Sequence, residues 1–128
     1  MKINDVTSII IEESIYIHKS IGPGLFESVY EKILAYRLRK RGLFVEEQKT
    51  LPLIFEGVVI DRAFRTDLLV DRQVLVDIKS VLEVPKVAKK QMNTYLRLLD
   101  YRIGLLINFN VEILVEGIQR FANKYVDQ

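Results

Sequence analysis

The sequence lacks cysteine and tryptophan and has a single histidine, His18, among its 128 residues. The absence of cysteine excludes disulfides, thiolate zinc sites and thiol nucleophiles. One histidine without cysteine also argues against a zinc site of the usual kind. A phosphate-binding P-loop, a dinucleotide-binding glycine motif, a nucleophile elbow and a Ser-His-Asp candidate set are absent as well. The common nucleotide-binding and serine-hydrolase chemistries are therefore not expected.

Long apolar runs and a large excess of one charge are also missing. No run approaches the roughly 20 apolar residues that span a bilayer, and polar residues interrupt the amino-terminal stretch, which does not resemble a signal peptide. The formal net charge is +2, so a diffuse basic surface is not the main device for binding a partner. Six Gly and three Pro beside 49% hydrophobic residues exclude a fibrous or disordered chain. We expect one domain over residues 1–128, located in the cytoplasm and outside any membrane.

Apolar residues at three- and four-residue spacing predict three helices. These run from Asp5, the expected amino-terminal cap, to Lys19, from Leu25 to Arg41, and from Val84 to Leu99. Between the second and third helices the pattern alternates, with turn signals at Glu56-Gly57 and Asp71-Arg72. This predicts an antiparallel meander of three or four strands.

Strands are also predicted near the end of the chain, from Arg102 to Phe109 and from Val111 to Val115, followed by a short helix or coil from Gly117 onward. The order of helices, meander, helix and strands predicts an α/β or α+β fold with a central sheet between helices.

Charged residues interrupt the apolar pattern of the predicted hairpin. Because strand side chains alternate between faces, Asp77 and Lys79 share one face. Pairing through the Asp71-Arg72 turn brings Asp67 to the same face. Two carboxylates beside an ammonium suit Mg²⁺ or Mn²⁺ and a phosphate group. The alternative is an ordinary solvated face with a weak cross-strand ion pair.

The third predicted helix carries a glutamine, Gln91, within its apolar stripe, and Tyr95 follows one turn later on the same face. A buried glutamine must find hydrogen-bond partners or cost about 1–3 kcal/mol. It is either a core residue bonded to the sheet backbone or part of a site. The opposite face is basic, with Lys86, Lys89, Lys90 and Arg97.

Two further polar residues are candidates. Glu27 lies in the first turn of the second helix, where the helix dipole alone favours a carboxylate, but it also borders the apolar stripe. His18 lies near the end of the first helix, where a lone histidine is more often a capping or packing residue than a ligand.

The segment from Gly24 to Tyr30 reads GLFESVY and matches the GxxExxY signature of a family of small bacterial proteins. The resemblance covers nearly the whole chain in order. It includes His18 to Gly24, the Asp67 strand, Asp77 to Lys79, Gln91 to Tyr95, and Gly104 to Phe109. The sequence thus resembles the GxxExxY protein family, which is placed in the PD-(D/E)XK nuclease-like superfamily.

The resemblance implies a mixed sheet flanked by helices, with a restriction-endonuclease-like core and a bound divalent metal. It assigns the metal-binding and catalytic carboxylates to Glu27, Asp67 and Asp77 and the catalytic lysine to Lys79. Gln91 and Tyr95 are similar to the QxxxY motif of one superfamily branch, and would bind substrate or support the ligands. His18 also matches the family pattern and joins this supporting group without an assigned role.

The chain departs from its relatives at two positions. They often carry Glu where this chain has Asp77. The aspartate is one methylene shorter, so its carboxylate lies closer to the strand. The residue before Asp67 is Thr66, and the proline of the PD motif is missing.

The expected function is Mg²⁺- or Mn²⁺-dependent hydrolysis of phosphodiester bonds in DNA or RNA, with the nucleic-acid backbone contacted by Arg62, Arg65, Lys86, Lys89 or Lys90. A homodimer is one arrangement that would enlarge the small surface available for a long substrate. The alternative is a module that keeps the nuclease fold without turnover and binds nucleic acid or another protein.

Overall fold

The computed structural model describes residues 1–124. Within them, the helices are α1 (Ile3–Ile21), α2 (Glu27–Lys40) and α3 (Lys86–Leu99). The strands are β1 (Val45–Phe55), β2 (Val58–Val70), β3 (Val74–Lys79), β4 (Ile103–Asn108) and β5 (Ile118–Ala122), and a short 3₁₀ helix (Leu114–Gly117) precedes β5. None of these helices is long and apolar enough to cross a membrane.

The five strands form one mixed sheet in the order β1-β2-β3-β4-β5. Strands β1, β2 and β3 are successive antiparallel neighbours, as the predicted meander requires. Strands β3 and β4 pair in parallel, because α3 provides the crossover that a parallel connection needs. Strand β5 returns antiparallel to β4 and closes the sheet at that side.

Strand β3 lies at the centre of the sheet and is covered on both faces. Its residues Val74, Val76 and Ile78 pack into the larger core, which includes apolar residues of α1 and α2. Its residue Leu75 packs on the other side, into a second core that includes Ala88, Met92 and Leu96 of α3. The fold therefore has three layers, with the sheet between a pair of helices and α3.

Helices α1 and α2 are joined by ion pairs around a buried glutamate as well as by apolar packing. The buried carboxylate of Glu13 accepts from Arg37 Nε at 2.6 Å and from Arg41 Nη1 at 2.7 Å. Burial raises the pKa of Glu13, but the two arginines outweigh it, and the net pKa lies below the ordinary value. This side of the molecule therefore contains a buried acid whose charge is fully compensated.

Two details of the predicted helices are corrected. Helix α1 begins at Ile3, so Asp5 lies in its first turn and is not its cap. On α3 the buried positions are Ala88, Met92 and Leu96, and Gln91 is exposed instead of buried in an apolar stripe. The short helix is amphipathic, but its buried face is rotated away from the predicted one.

The predicted strand from Val111 to Val115 is wrong. The helix or coil predicted from Gly117 onward is wrong as far as residue 124, and its last four residues lie outside the described part of the chain. The chain bends after β4, forms the 3₁₀ helix and then enters β5 at Ile118. At Gly117 a Cβ atom would overlap the backbone oxygen of Asn108, so the chain can turn back onto β4 only with glycine there. Leu114 is buried in the core with residues of α1, so the segment packs and does not pair.

The close approach of α3 to β4 generates a testable prediction. A Cβ atom at Gly104 would overlap Met92 Sδ, so Gly104→Ala should lower the free energy of unfolding by about 1–3 kcal/mol through overpacking. In a Met92→Ala background the same substitution should cost measurably less, which chemical denaturation of the four proteins can show. Additive effects in that cycle would contradict the contact.

Candidate active site

The ladder between β2 and β3 ends early, and the acidic residues lie where it ends. Backbone pairing runs from Val70 and Val74 to Leu68 and Val76 and goes no further. At the next position the Asp67 Oδ2 atom accepts from the backbone nitrogen of Ile78 at 2.8 Å. A side chain thus replaces a backbone partner, and the two strands separate into a cleft.

Asp67 and Asp77 meet in this cleft, and their charges are strongly coupled. Burial, followed by the hydrogen bond and the negative charge of Asp67, raises the pKa of Asp77 to about 7, and Lys79 only partly opposes this. The Asp77 carboxyl group therefore keeps its proton up to nearly neutral pH. The sequence placed these two residues on one face, and the structure brings them into contact.

Lys79 lies beside the acid pair. Its Nζ atom is 3.5 Å from Asp77 Oδ2. The two side chains and Asp67 share a cavity of about 140 Å³ whose other lining residues are Arg65, Thr66, Leu75, Gln91, Met92 and Tyr95. The cavity thus combines carboxylates, an ammonium and a guanidinium within reach of one small group.

The helix α3 closes this cavity with Gln91 and Tyr95. Gln91 Nε2 donates to the Tyr95 hydroxyl at 3.0 Å, and the Tyr95 ring packs edge-on against Phe64 at 4.8 Å between centroids. The hydroxyl and amide therefore form a linked pair at the cavity wall. Exposure of Gln91 means that it needs no core partner and is available to a bound molecule.

Glu27 lies near this cavity, in a neighbouring one of about 200 Å³ that it shares with Ser28, Glu31, Gln48, Arg65 and Asp67. Its Oε2 atom accepts from the backbone nitrogen of Ser80 at 3.0 Å, directly after the end of β3. The structure therefore brings Glu27 to the same end of β3 as Lys79, with one carboxylate oxygen used to hold the chain there.

The remaining residues of the GLFESVY segment build the loop before α2. The Tyr30 hydroxyl donates to the Gly22 carbonyl at 2.7 Å and accepts from the Leu25 nitrogen at 3.2 Å, while its ring stacks on Phe109 at 4.3 Å. Ser80 Oγ donates to the Leu25 carbonyl at 2.6 Å. Tyr30 thus holds the loop together and packs it on Phe109, while Glu27 and Leu25 fix it to Ser80 after β3.

His18 is not brought to the cleft. It is buried on α1, and its Nε2 atom donates to the Val111 carbonyl at 2.7 Å. It lines neither cavity that contains Asp67. The structure therefore does not bring His18 to the other predicted site residues, and its hydrogen bond holds the segment after β4 against α1.

Sequence reasoning missed two polar residues next to Asp67. Glu31 on α2 is buried, and Gln48 on β1 hydrogen-bonds to both Glu31 and Asp67. Burial raises the pKa of Glu31, the Gln48 hydrogen bond opposes this, and the charges of Asp67 and Glu47 add to it. Glu31 lies one turn after Glu27, and that i,i+4 spacing was the signal that could have identified it.

A divalent cation fits the donor chemistry of the Asp67 and Asp77 pair. The ion would displace the proton of Asp77 and would compensate the negative charge of the two side chains. Among residues 1–124, no three acidic or histidine side chains converge as a complete ligand cluster. Water and backbone carbonyls, which Mg²⁺ accepts in most protein sites, would supply the other ligands.

A mixed sheet between helices, with an acid pair and a lysine where two central strands part, is the architecture of a restriction-endonuclease-like fold. In a comparison with protein families, residues 4–121 match a family described as belonging to the PD-(D/E)XK nuclease superfamily. The chain therefore belongs to that superfamily, and the predicted superfamily and fold class are confirmed. No curated protein and no solved structure matches the chain. Membership of the GxxExxY family stays a prediction.

The raised pKa of Asp77 predicts a pH-dependent stability without added metal. A carboxyl group whose pKa rises from 3.8 to about 7 on folding stabilises the folded state below pH 4, and this contribution is lost as the pH rises towards 7. Asp77→Asn should therefore increase the free energy of unfolding at pH 8 by about 1–3 kcal/mol, and the gain should shrink as the pH approaches 4.

Chemical denaturation at several pH values measures this difference. Asp61→Asn, at an exposed position on β2, changes the net charge equally and serves as the control. An Asp77→Asn protein whose stability relative to the wild type does not change between pH 4 and pH 8 would contradict the coupled pair.

Proposed function

We propose that this protein is a divalent-metal-dependent nuclease that hydrolyses phosphodiester bonds in nucleic acid. The observation that supports this most strongly is the shared cavity of Asp67, Asp77 and Lys79 at the point where β2 and β3 part. Membership of the nuclease superfamily supports the same activity.

Asp67 and Asp77 are the residues that would hold Mg²⁺ or Mn²⁺, with Glu27 as a third, more distant carboxylate. The metal would polarise a phosphoryl oxygen and lower the pKa of a bound water. The backbone nitrogen of Ile78 already fixes the Asp67 carboxylate. This side chain would therefore bind the metal without rearrangement of the chain.

Lys79 is the candidate for orienting water or stabilising the charge that develops on the phosphate. Its ammonium lies near Asp77 but at 3.5 Å, so a stronger anion in the cavity can compete for it. Gln91 and Tyr95 line the same cavity, where an amide and a hydroxyl can donate to phosphate or sugar oxygens.

Basic side chains around the cleft would contact the nucleic-acid backbone. Arg65 lines both cavities that contain Asp67, which makes it the first candidate. Lys86 and Lys89 line a groove at the start of α3. Contacts of this type are tolerant of base sequence and weaken as salt concentration rises.

A second function, a nucleic-acid-binding module without turnover, is favoured by one observation. Glu27 uses an oxygen to hold Ser80, and within residues 1–124 no third carboxylate joins the acid pair as a ready-made cluster. Such a module would bind oligonucleotides in a salt-dependent way without cutting them.

Cleavage assays test the proposed function directly. We expect the wild type to cut some member of a panel of labelled DNA and RNA substrates in Mg²⁺ or Mn²⁺, and chelator to abolish cutting. Lys79→Ala should lower the rate by about 100-fold or more, because charge stabilisation at the phosphate is lost. Lys40→Ala, which removes an exposed lysine at the end of α2, is the matched control.

Equal cleavage by the wild type and Lys79→Ala would indicate a contaminant and contradict the role of Lys79. Salt-dependent binding by the wild type without any cleavage would instead support the binding module.

A further inference from the structure

Gln48 has an unusual backbone conformation for its place in the fold. It lies in the middle of β1 with a φ of 48°, in the left-handed region that non-glycine residues avoid. Its neighbours Glu47 and Lys49 keep one register with Leu68 and Thr66 of β2, so no extra residue is inserted there. A conformation of this kind costs on the order of 1 kcal/mol and persists only where surrounding contacts enforce it.

The side chain of Gln48 provides those contacts. Its Nε2 atom donates to Glu31 Oε1 and, at 3.3 Å, to Asp67 Oδ1. One amide group therefore bridges a carboxylate of α2 and a carboxylate of β2. The strained backbone of β1 directs this amide towards the acidic cleft.

Glu31 is a buried acid without an ion-pair partner among residues 1–124, and the charge of the adjacent Lys32 is the smallest of the influences on its pKa. Only 6% of its surface is exposed, and within residues 1–124 no lysine or arginine forms an ion pair with it. The cations of this region pair instead with Glu47, whose carboxylate contacts Lys32 Nζ at 2.9 Å and Arg39 Nη1 at 3.0 Å.

The contrast with Glu13 shows what is unusual about Glu31. Glu13 is equally buried but is held by two arginines, which compensate its charge. A glutamine can hold a carboxylate in place without neutralising it, because an amide donates a hydrogen bond and carries no net charge. Negative charge at Glu31 therefore adds to that of Asp67 instead of being cancelled.

We propose that Gln48 is a positioning residue that holds the Glu31 carboxylate beside Asp67 and thereby makes Glu31 a further acidic residue of the cation-binding cleft. This inference rests on the proposed metal-dependent function. Glu31, buried and fixed through Gln48, adds negative charge on the α2 side of the cleft, where Glu27 is engaged with Ser80.

The test is Mn²⁺ affinity of the full chain, measured by titration calorimetry alongside the free energy of unfolding in chelator. Gln48→Gly removes the amide that bonds to Glu31 but relieves the positive φ, and because these effects oppose each other the metal-free protein should stay close to wild-type stability. Its dissociation constant for Mn²⁺ should nevertheless rise by roughly 10- to 100-fold, the usual effect of losing a residue that orients a ligand.

Two further variants separate positioning from general effects. Gln48→Lys would keep Glu31 in place but neutralise it, and its Mn²⁺ affinity should fall at least as far as that of Gln48→Gly. Asp100→Gly relieves the same type of backbone conformation, with φ of 58°, at the exposed end of α3. Its Mn²⁺ affinity should equal that of the wild type.

The outcomes distinguish this inference from the proposed function. Wild type that binds Mn²⁺ with an affinity unchanged in Gln48→Gly would overturn the role of Gln48 alone. Wild type that binds no Mn²⁺ would overturn the metal-dependent function and this inference with it. Loss of both affinity and stability in Gln48→Gly would indicate a structural role for Gln48 and also overturn positioning.

Discussion

The site depends on where the backbone ladder between β2 and β3 stops. The turn residues Asp71 and Arg72 both have left-handed φ values, and the turn that they form sets the register up to Leu68 and Val76. Beyond that pair, the Asp67 carboxylate takes the place of a backbone acceptor for Ile78. A one-residue slip in this register would send the acidic side chains to opposite faces. The acid pair and the cleft beside it therefore both follow from one short turn.

The rest of the fold supports this cleft at three places. Parallel pairing with β4 supports β3 along its whole length, and the loop before α2 is fixed to the end of β3 through Glu27 and Ser80. Asn108 at the end of β4 adds a third support, because its side-chain amide bonds to both backbone groups of Val81. The cleft tolerates acids without ion-pair partners because the rest of the molecule stabilises the fold. Apolar packing and the Glu13 ion pairs between α1 and α2 provide that stability.

The pattern of apolar and turn residues was sufficient to predict the elements whose structure depends on neighbouring residues. The three helices and the meander follow from apolar periodicity and from turn residues, and the shared face of Asp67 and Asp77 follows from alternation along each strand. The same sequence pattern was misleading where packing between distant elements decides the conformation. The segment from Val111 to Val115 has the residue types of a strand. It instead packs against α1, just before the chain enters β5. The approach of Gln48 to Glu31 crosses from β1 to α2, and no spacing in the sequence encodes a contact of that kind.

The sequence by itself determined the class of fold, the residue types available for chemistry and the strand faces that carry them. These depend on composition and on periods of two and 3.6 residues, which are properties of neighbouring residues along the chain. Only the tertiary structure decided that Glu31 is buried without an ion pair, that Gln48 bridges it to Asp67, and that His18 hydrogen-bonds to the segment after β4. Those outcomes depend on distances between elements far apart in sequence, because they are set by how the helices pack against the sheet.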